Sequence, residues 1–305
     1  MTPAPSITVV VPTRNRPDLL APCLESIRAS IGDGDELLVV DSASTDPAVR
    51  DVADAHGAHY VRADRPGASR ARNLGWRTAA NDLVAFIDDD VRVTPGWAAA
   101  MRTRLAAPGL CFVTGAVEEP PDRTSERPVA LLDRGAAEEI TIDTGEANFG
   151  HSANLGVKRS AMLLVGGFDE ALGAGMPLHA AEDVDLFDRL LAAGCTGVYD
   201  PEVRAWHEPW RGREHFVALD WGYGVGMGAR MMKLIKTNRP RLGFALYVTF
   251  WAWGFRDLYY QWRMRRRFVA AIALVRMGGA LAGMAQAARL RVRHGHFVSP
   301  PTRGR

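Results

Sequence analysis

The sequence sets three consecutive carboxylates, Asp88, Asp89 and Asp90, directly after the apolar run Leu83–Ile87. Like charges this close repel, and each favours protonation of the others. A divalent cation resolves the conflict. Carboxylate oxygens are hard ligands for Mg2+ or Mn2+, ions that keep coordination positions open for phosphate oxygens. Side chains alternate along an extended chain, so Asp88 and Asp90 are expected on one side and Asp89 on the other. A solvated acidic loop is the competing reading.

Other residues could work with such a cation. Asp41 closes the run Glu36–Val40, where a carboxylate accepts hydrogen bonds from a base or a ribose, or simply forms a turn. Arg65–Trp76 (RPGASRARNLGW) carries several arginines, Arg72 among them, into a helix start; guanidinium forks suit phosphates and base carbonyls. Glu182 and Asp183 open a segment in which Val184, Phe187, Leu190 and Leu191 recur at helical spacing. Acids in a first turn are favoured by the helix dipole, and the same placement holds a carboxylate as rigidly as a general base requires. His207, in AWHEPW, is either a structural histidine or the completion of a metal shell begun by Asp90. Between Gly145 and Glu170, GEANFG, HSANLGV (with Asn154) and GGFDE (with Gly167) offer polar groups and glycines suited to lining a sugar pocket.

These residues need a scaffold. Ile7–Val11, Glu36–Val40 and Leu83–Ile87 read as buried strands, and His59–Arg62 as a shorter one. Helical patterns between them, after Pro17 and over Ala68–Ala80, imply βαβ units and a mostly parallel sheet. Pro22 is expected to disturb the first of these helices. In such sheets ligands bind beyond the carboxyl ends of the strands, which is where PTRNR, DSASTD and DDD lie. Further helices are expected at Lys158–Val165 and Glu182–Ala193, and a short strand within Val198–Trp206. The expected division is 1–115 for nucleotide binding, 116–225 for the acceptor and base, and 226–305 as a helical tail.

Residues 226–305 hold 16 Lys and Arg against one acid, Asp257, while the preceding 225 residues hold 21 basic and 34 acidic residues. So basic and apolar a tail suggests an anionic partner, and amphipathic helices at a membrane interface fit it. Phe268, Ile272, Val275 and Gly279 fall at helical spacing there; packed core helices are the alternative. Three dispersed cysteines, Cys23, Cys111 and Cys195, suggest buried free thiols. With no leader pattern at the start of the chain, they point to a cytoplasmic protein, peripheral on the membrane. Gly224, Gly226 and Ala229 match a loose dinucleotide fingerprint, but without the strand and ribose-binding acid it requires.

In order, VVVPTRNRPDLL, DSASTD, PGASRARNLGW, FIDDD, GGFDE, EDVDLFDRLLAAG and a late histidine resemble family 2 glycosyltransferases of the GT-A fold, over roughly residues 7–210. The resemblance implies an α/β fold with a Rossmann-like, mostly parallel sheet flanked by helices, and a metal-dependent, inverting transfer from a nucleoside-diphosphate sugar. By resemblance, Pro12 and Thr13 contact the nucleotide, Asp41 binds its base with Arg72 nearby, and Asp88 approaches the ribose with Asp89 close by. Asp90 and His207 hold Mn2+ or Mg2+, and Asp183 is the general base. From the residues themselves, Asn154, Gly167 and Glu182 are expected to border the sugar substrates. UDP or dTDP carriers are favoured, with a glycan or lipid-linked acceptor in cell-envelope or polysaccharide synthesis and no nucleic-acid partner. Two other readings remain at this point: a non-catalytic nucleotide- or glycan-binding protein that keeps the fold, and a nucleotidyltransferase. The latter would need a glycine-rich triphosphate loop after the first strand, and VPTRNRPDLL has no glycine.

Overall fold

Strand β1 (Ile7–Thr13) is buried along its whole length because both of its faces are covered. Ile7, Val9 and Val11 pack with Leu20, Leu24 and Ile27 of helix α1 (Pro17–Arg28), while Val10 packs with Ala71 and Trp76 of α3 (Ala68–Thr78). The same alternation divides β2 (Glu36–Asp41) and β4 (Leu83–Ile87) between the two layers. This is why their sequences read as continuous apolar runs rather than as amphipathic ones. Helix α1 starts with Pro17 and passes through Pro22 to Arg28.

The computed structural model describes residues 5–123, 131–144, 149–237 and 239–298. They fall into two units: one formed by the chain up to Phe168 together with Leu186–Trp210, the other by Asp169–Asp185 and the chain from Arg211. The first unit also contains α2 (Ala48–Ala55), β3 (His59–Arg62), β5 (Val91–Val93), α4 (Trp97–Leu105), β6 (Leu110–Glu118), β7 (Glu138–Ile140), β8 (Asn154–Lys158) and α5 (Arg159–Val165). Helix α6 (Glu182–Ala192) crosses from the second unit back into the first, which ends with β9 (Thr196–His207).

Its sheet runs β3-β2-β1-β4-β8-β6-β9-β5, with β7 paired to β9. The first four strands are parallel, and β8 joins β4 in the antiparallel sense. Strand order reverses between β1 and β4, so the ends of β1, β2 and β4 open onto one edge of the sheet, with Thr13 in register with Asp41. Strand β5 returns antiparallel to β9 and pairs Val91 with His207. That pairing brings the acidic turn beside a histidine more than a hundred residues away.

The second unit is built on α7 (Arg213–Lys236), α8 (Pro240–Arg263) and α9 (Arg267–Arg289), followed by the hairpin β10 (Arg291–Arg293) and β11 (His296–Val298). Helices α7 and α9 touch at backbone level. A Cβ on Gly224 would lie 2.1 Å from the Arg276 carbonyl oxygen, and one on Gly228 would lie 2.0 Å from that of Ala280. Gly279 and Gly283 face Trp221 and Val225 just as closely. Of the glycines that imitated a dinucleotide fingerprint, Gly224 thus makes a helix–helix contact, while Gly226 lies against the backbone of Ala180.

Two sequence expectations need correction. The 115/116 boundary cuts β6 and the 225/226 boundary cuts α7; the chain instead leaves the first unit at Asp169 and re-enters it through α6. The strand expected within Val198–Trp206 is a twelve-residue strand. Of the stripe expected on α9, Ile272 and Gly279 are buried against the unit, whereas Phe268 is exposed. Cys23 and Cys195 are buried free thiols, whereas Cys111 is partly exposed.

Candidate active site

The edge beyond β1, β2 and β4 gathers most of the expected residues. Asp88–Asp90 form a turn, closed by the Val91 N–H donating to the Asp88 carbonyl at 3.1 Å. The turn removes the alternation expected of an extended chain. Asp89 is not turned away; it is buried and accepts hydrogen bonds from Thr13 Oγ1 at 2.8 Å and from Arg16 at 3.0 Å. Burial and the neighbouring Asp90 charge raise its carboxyl to about 6, against the pull of Arg16 and Thr13. Both oxygens of Asp89 are thus committed to fixing the turn onto β1.

Asp90 is also buried. Its Oδ2 accepts a hydrogen bond from Trp210 Nε1 at 2.7 Å and lies 3.7 Å from Arg16, whose guanidinium stacks 4.5 Å from the centre of the Trp210 ring. Its Oδ1 lies 3.6 Å from His207 Nε2, beyond hydrogen-bonding distance. The Glu208 N–H donates to the Asp90 carbonyl at 2.8 Å and extends the β5–β9 pairing into the turn. Asp88 is more accessible and takes a 2.6 Å hydrogen bond from the buried Arg72.

Asp41 accepts from the Ser44 N–H at 2.8 Å, from Tyr60 at 2.6 Å and from Arg62 at 2.6 Å. Burial pushes its carboxyl up, but Ser44, Tyr60 and the Arg62 charge outweigh that and hold it below the usual carboxylate range. Asn15, with φ of 53°, reaches across to the Thr45 N–H at 2.7 Å and ties the β1 exit to the β2 exit. Pro12 and Thr13 are buried at the end of β1, where the Thr13 carbonyl accepts from the Ser42 N–H.

Two residues expected to meet a sugar do not line this edge. Asn154 is fully buried; it accepts from Trp97 and donates to the carbonyls of Ala116 and Val203, so it joins β8 to its neighbours. Gly167 has φ of 79°, and a Cβ there would press on Asn73 and Trp76. Asn73 in turn clasps the backbone of Phe168, donating to its carbonyl at 2.9 Å and accepting from its N–H at 2.8 Å. The glycine and asparagine signals were real, but packing and turn closure account for them. In GEANFG, residues 145–148 lie outside those described.

In the second unit, Glu182 and Asp183 stand in the first turn of α6, and Asp183 Oδ1 accepts from the Val184 N–H at 2.8 Å. Beneath this turn, Lys233 of α7 is buried between Asp185 and Asp169, reaching Asp169 at 2.6 Å. Asp169 also accepts from the N–H groups of Ala171 and Phe297. The acid of GGFDE is therefore a structural anchor. Tyr223 is pushed up to about 12 by burial, with Arg211 pulling it down and the charges of Asp183 and Glu182 adding to the rise.

Sequence reasoning missed Arg16, Tyr60, Arg62, Trp210 and Lys233. Arg16 and Trp210 stood inside segments already singled out, PTRNR and AWHEPW. Lys233 gave no signal, since nothing local marks a lysine whose partners lie about fifty and sixty residues away.

Among the described residues, no three His, Cys, Asp or Glu side chains gather into a closed metal centre. Comparison with known proteins accords with the fold. The pre-mycofactocin glycosyltransferase of Mycobacterium tuberculosis is 31% identical over 214 residues, 66% of this chain and 42% of that protein. The chain thus spans less than half the length of this relative. The mannosyltransferase PcManGT from Pyrobaculum calidifontis, solved with GDP-Man and Mn2+, superposes with a TM-score of 0.60 at 21% identity, covering 96% of this chain and 78% of that one. S. aureus TarS with UDP-GlcNAc gives 0.57 at 15% identity, covering 73% and 65%. Both likenesses establish the GT-A architecture. Residues 8–163 match the family described as Glycosyl transferase family 2, and the chain belongs to that family.

Proposed function

We propose that the chain catalyses metal-dependent, inverting transfer of a sugar from a nucleoside-diphosphate sugar to a hydroxyl of a glycan or lipid-linked acceptor, in cell-envelope or polysaccharide synthesis. The observation that carries this reading is the pairing of Asp90 with His207 at the end of β4. The two atoms lie 3.6 Å apart, close enough to share one cation with ligand bonds of about 2.0–2.2 Å. An open pair of ligands suits Mn2+ or Mg2+, which draw their remaining ligands from phosphate and water. When bound, the cation neutralises charge developing on the diphosphate leaving group.

The other residues have distinct tasks. Asp41 and Arg62 present a charged, hydrogen-bonding rim to the base, and Asp88, oriented by Arg72, meets the ribose. Thr13, Arg16 and Asp89 hold the turn rigid, so that Asp90 is fixed before the donor arrives. Asp183 takes the proton from the acceptor hydroxyl as that oxygen attacks the anomeric carbon, and one displacement inverts its configuration. Uridine and deoxythymidine carriers are preferred, and the resembling structures, with GDP-Man and UDP-GlcNAc, leave guanosine in the set to be tested.

Thermal-shift titration with UDP, dTDP and GDP, each with and without Mn2+, tests the donor half of this reading. Stabilisation by one nucleotide that requires the metal is expected. Equal stabilisation with chelator present would remove the metal from the account, and no stabilisation by any nucleotide would remove the donor.

A further inference from the structure

We infer that α8 and the turn after it form a docking surface for an anionic lipid bilayer. Phe244, Val248, Phe255, Tyr259 and Trp262 follow one another at spacings of three, four and seven residues, which puts them on one stripe of the helix. Each is between 48% and 71% exposed. Trp251, partly buried, completes the stripe and leans on Phe255 with ring centres 5.7 Å apart; Tyr247 lies 6.0 Å on its other side. Only Gly243 and Leu246 of this 24-residue helix are buried. So many exposed apolar and aromatic side chains on one stripe are costly in water and mark an interaction surface.

The occupant follows from charge and side-chain type. The stripe runs directly into Arg263, Met264, Arg265, Arg266, Arg267 and Phe268, all exposed. Residues 239–267 contain seven arginines and one acid, Asp257. A second copy of the same surface would offer almost no carboxylates to receive those arginines, whereas a layer of lipid phosphates would receive all of them. Tryptophan and tyrosine beside clustered arginine match the boundary between headgroups and acyl chains. Helix α9 is long and apolar enough to cross a membrane by length and composition. Its Gly279 and Gly283, however, are held against the α7 backbone, so the surface to dock is that of α8. The inference does not depend on the proposed transfer reaction.

Co-sedimentation of the full chain with vesicles tests it, using phosphatidylcholine alone or phosphatidylcholine with phosphatidylglycerol. The wild type is expected to pellet with the anionic vesicles only. A Phe255→Ser/Trp262→Ser variant and an Arg265→Glu/Arg266→Glu variant should each bind roughly tenfold more weakly or worse, with unchanged thermal melts. Should the first variant fold poorly, the arginine variant decides alone, because its side chains project into solvent. Three results would overturn the inference: no binding of the wild type to either vesicle, binding that survives both variants, or a wild-type dimer that the Phe255→Ser/Trp262→Ser change dissociates.

Discussion

Trp210 donates its indole N–H to Asp90 Oδ2 at 2.7 Å, leaving the other carboxylate oxygen facing His207. The bond orients the carboxylate while the same ring stacks on Arg16. Trp210→Phe keeps the stack and removes the bond. Loss of an outer hydrogen bond at a metal ligand costs about 10–100-fold in metal affinity or activity. We therefore expect the Mn2+ concentration for half-maximal nucleoside-diphosphate release to rise by about tenfold, alongside a stability loss of about 1–3 kcal/mol from the buried carboxylate oxygen left without its donor. A metal requirement unmoved by the substitution would show that Trp210 serves packing alone.

Thr13 and Asp89 make the buried contact that ties the acidic turn to β1. Thr13→Val preserves shape and leaves a buried carboxylate oxygen short of a donor, a loss of about 1–3 kcal/mol. Urea unfolding should show a lower midpoint with an unchanged slope. Thr13→Ser, which restores the hydroxyl, should recover most of that stability.

Asp41 should make stability depend on pH. Its folded carboxyl titrates below the ordinary value of 3.8, so in acid the unfolded chain binds its proton first, and the stabilisation present at neutral pH is lost as pH falls through the folded value. Asp41→Asn should be less stable than the wild type by about 1–3 kcal/mol at pH 7. The two proteins should converge as pH drops below 3.8. A constant difference across that range would mean that shape, and not charge, is what Asp41 contributes.

Lys233 stands between Asp169 and Asp185 with all three side chains buried. Lys233→Met leaves two carboxylates without their cation, and breaking a buried pair in this way costs about 3–5 kcal/mol. Calorimetry should show a large loss for Lys233→Met. Part of it should be regained in Lys233→Met/Asp185→Asn, because the second change removes one stranded charge.

The parallel half of the sheet was legible in the sequence because β1, β2 and β4 are covered on both faces, and two-sided burial writes itself as an unbroken apolar run. The edge that carries both Asp41 and Asp88–Asp90 followed from that. The turn at Asp89 was not legible: its direction is set by β5 pairing with β9, a contact between Val91 and His207 that no local spacing announces. Asn154 and Gly167 misled for a related reason. Polar and glycine residues near a sugar site look the same whether they meet a ligand or close a tertiary contact, as Asn154 does with Trp97. The division of the chain at α6 was equally hidden, since composition shifts near residue 226 while the fold turns back at Asp169.

The proposed reaction is a metal-dependent displacement with Asp183 as base. The most direct test is the kcat for nucleoside-diphosphate release from the preferred donor, with Mn2+ or with chelator, in the wild type and in Asp183→Asn. Chelator should abolish release by the wild type. Asp183→Asn should lose about 10²–10⁴-fold in kcat while still binding donor with Mn2+ as the wild type does. Undiminished turnover in Asp183→Asn, or full wild-type release in chelator, would contradict it.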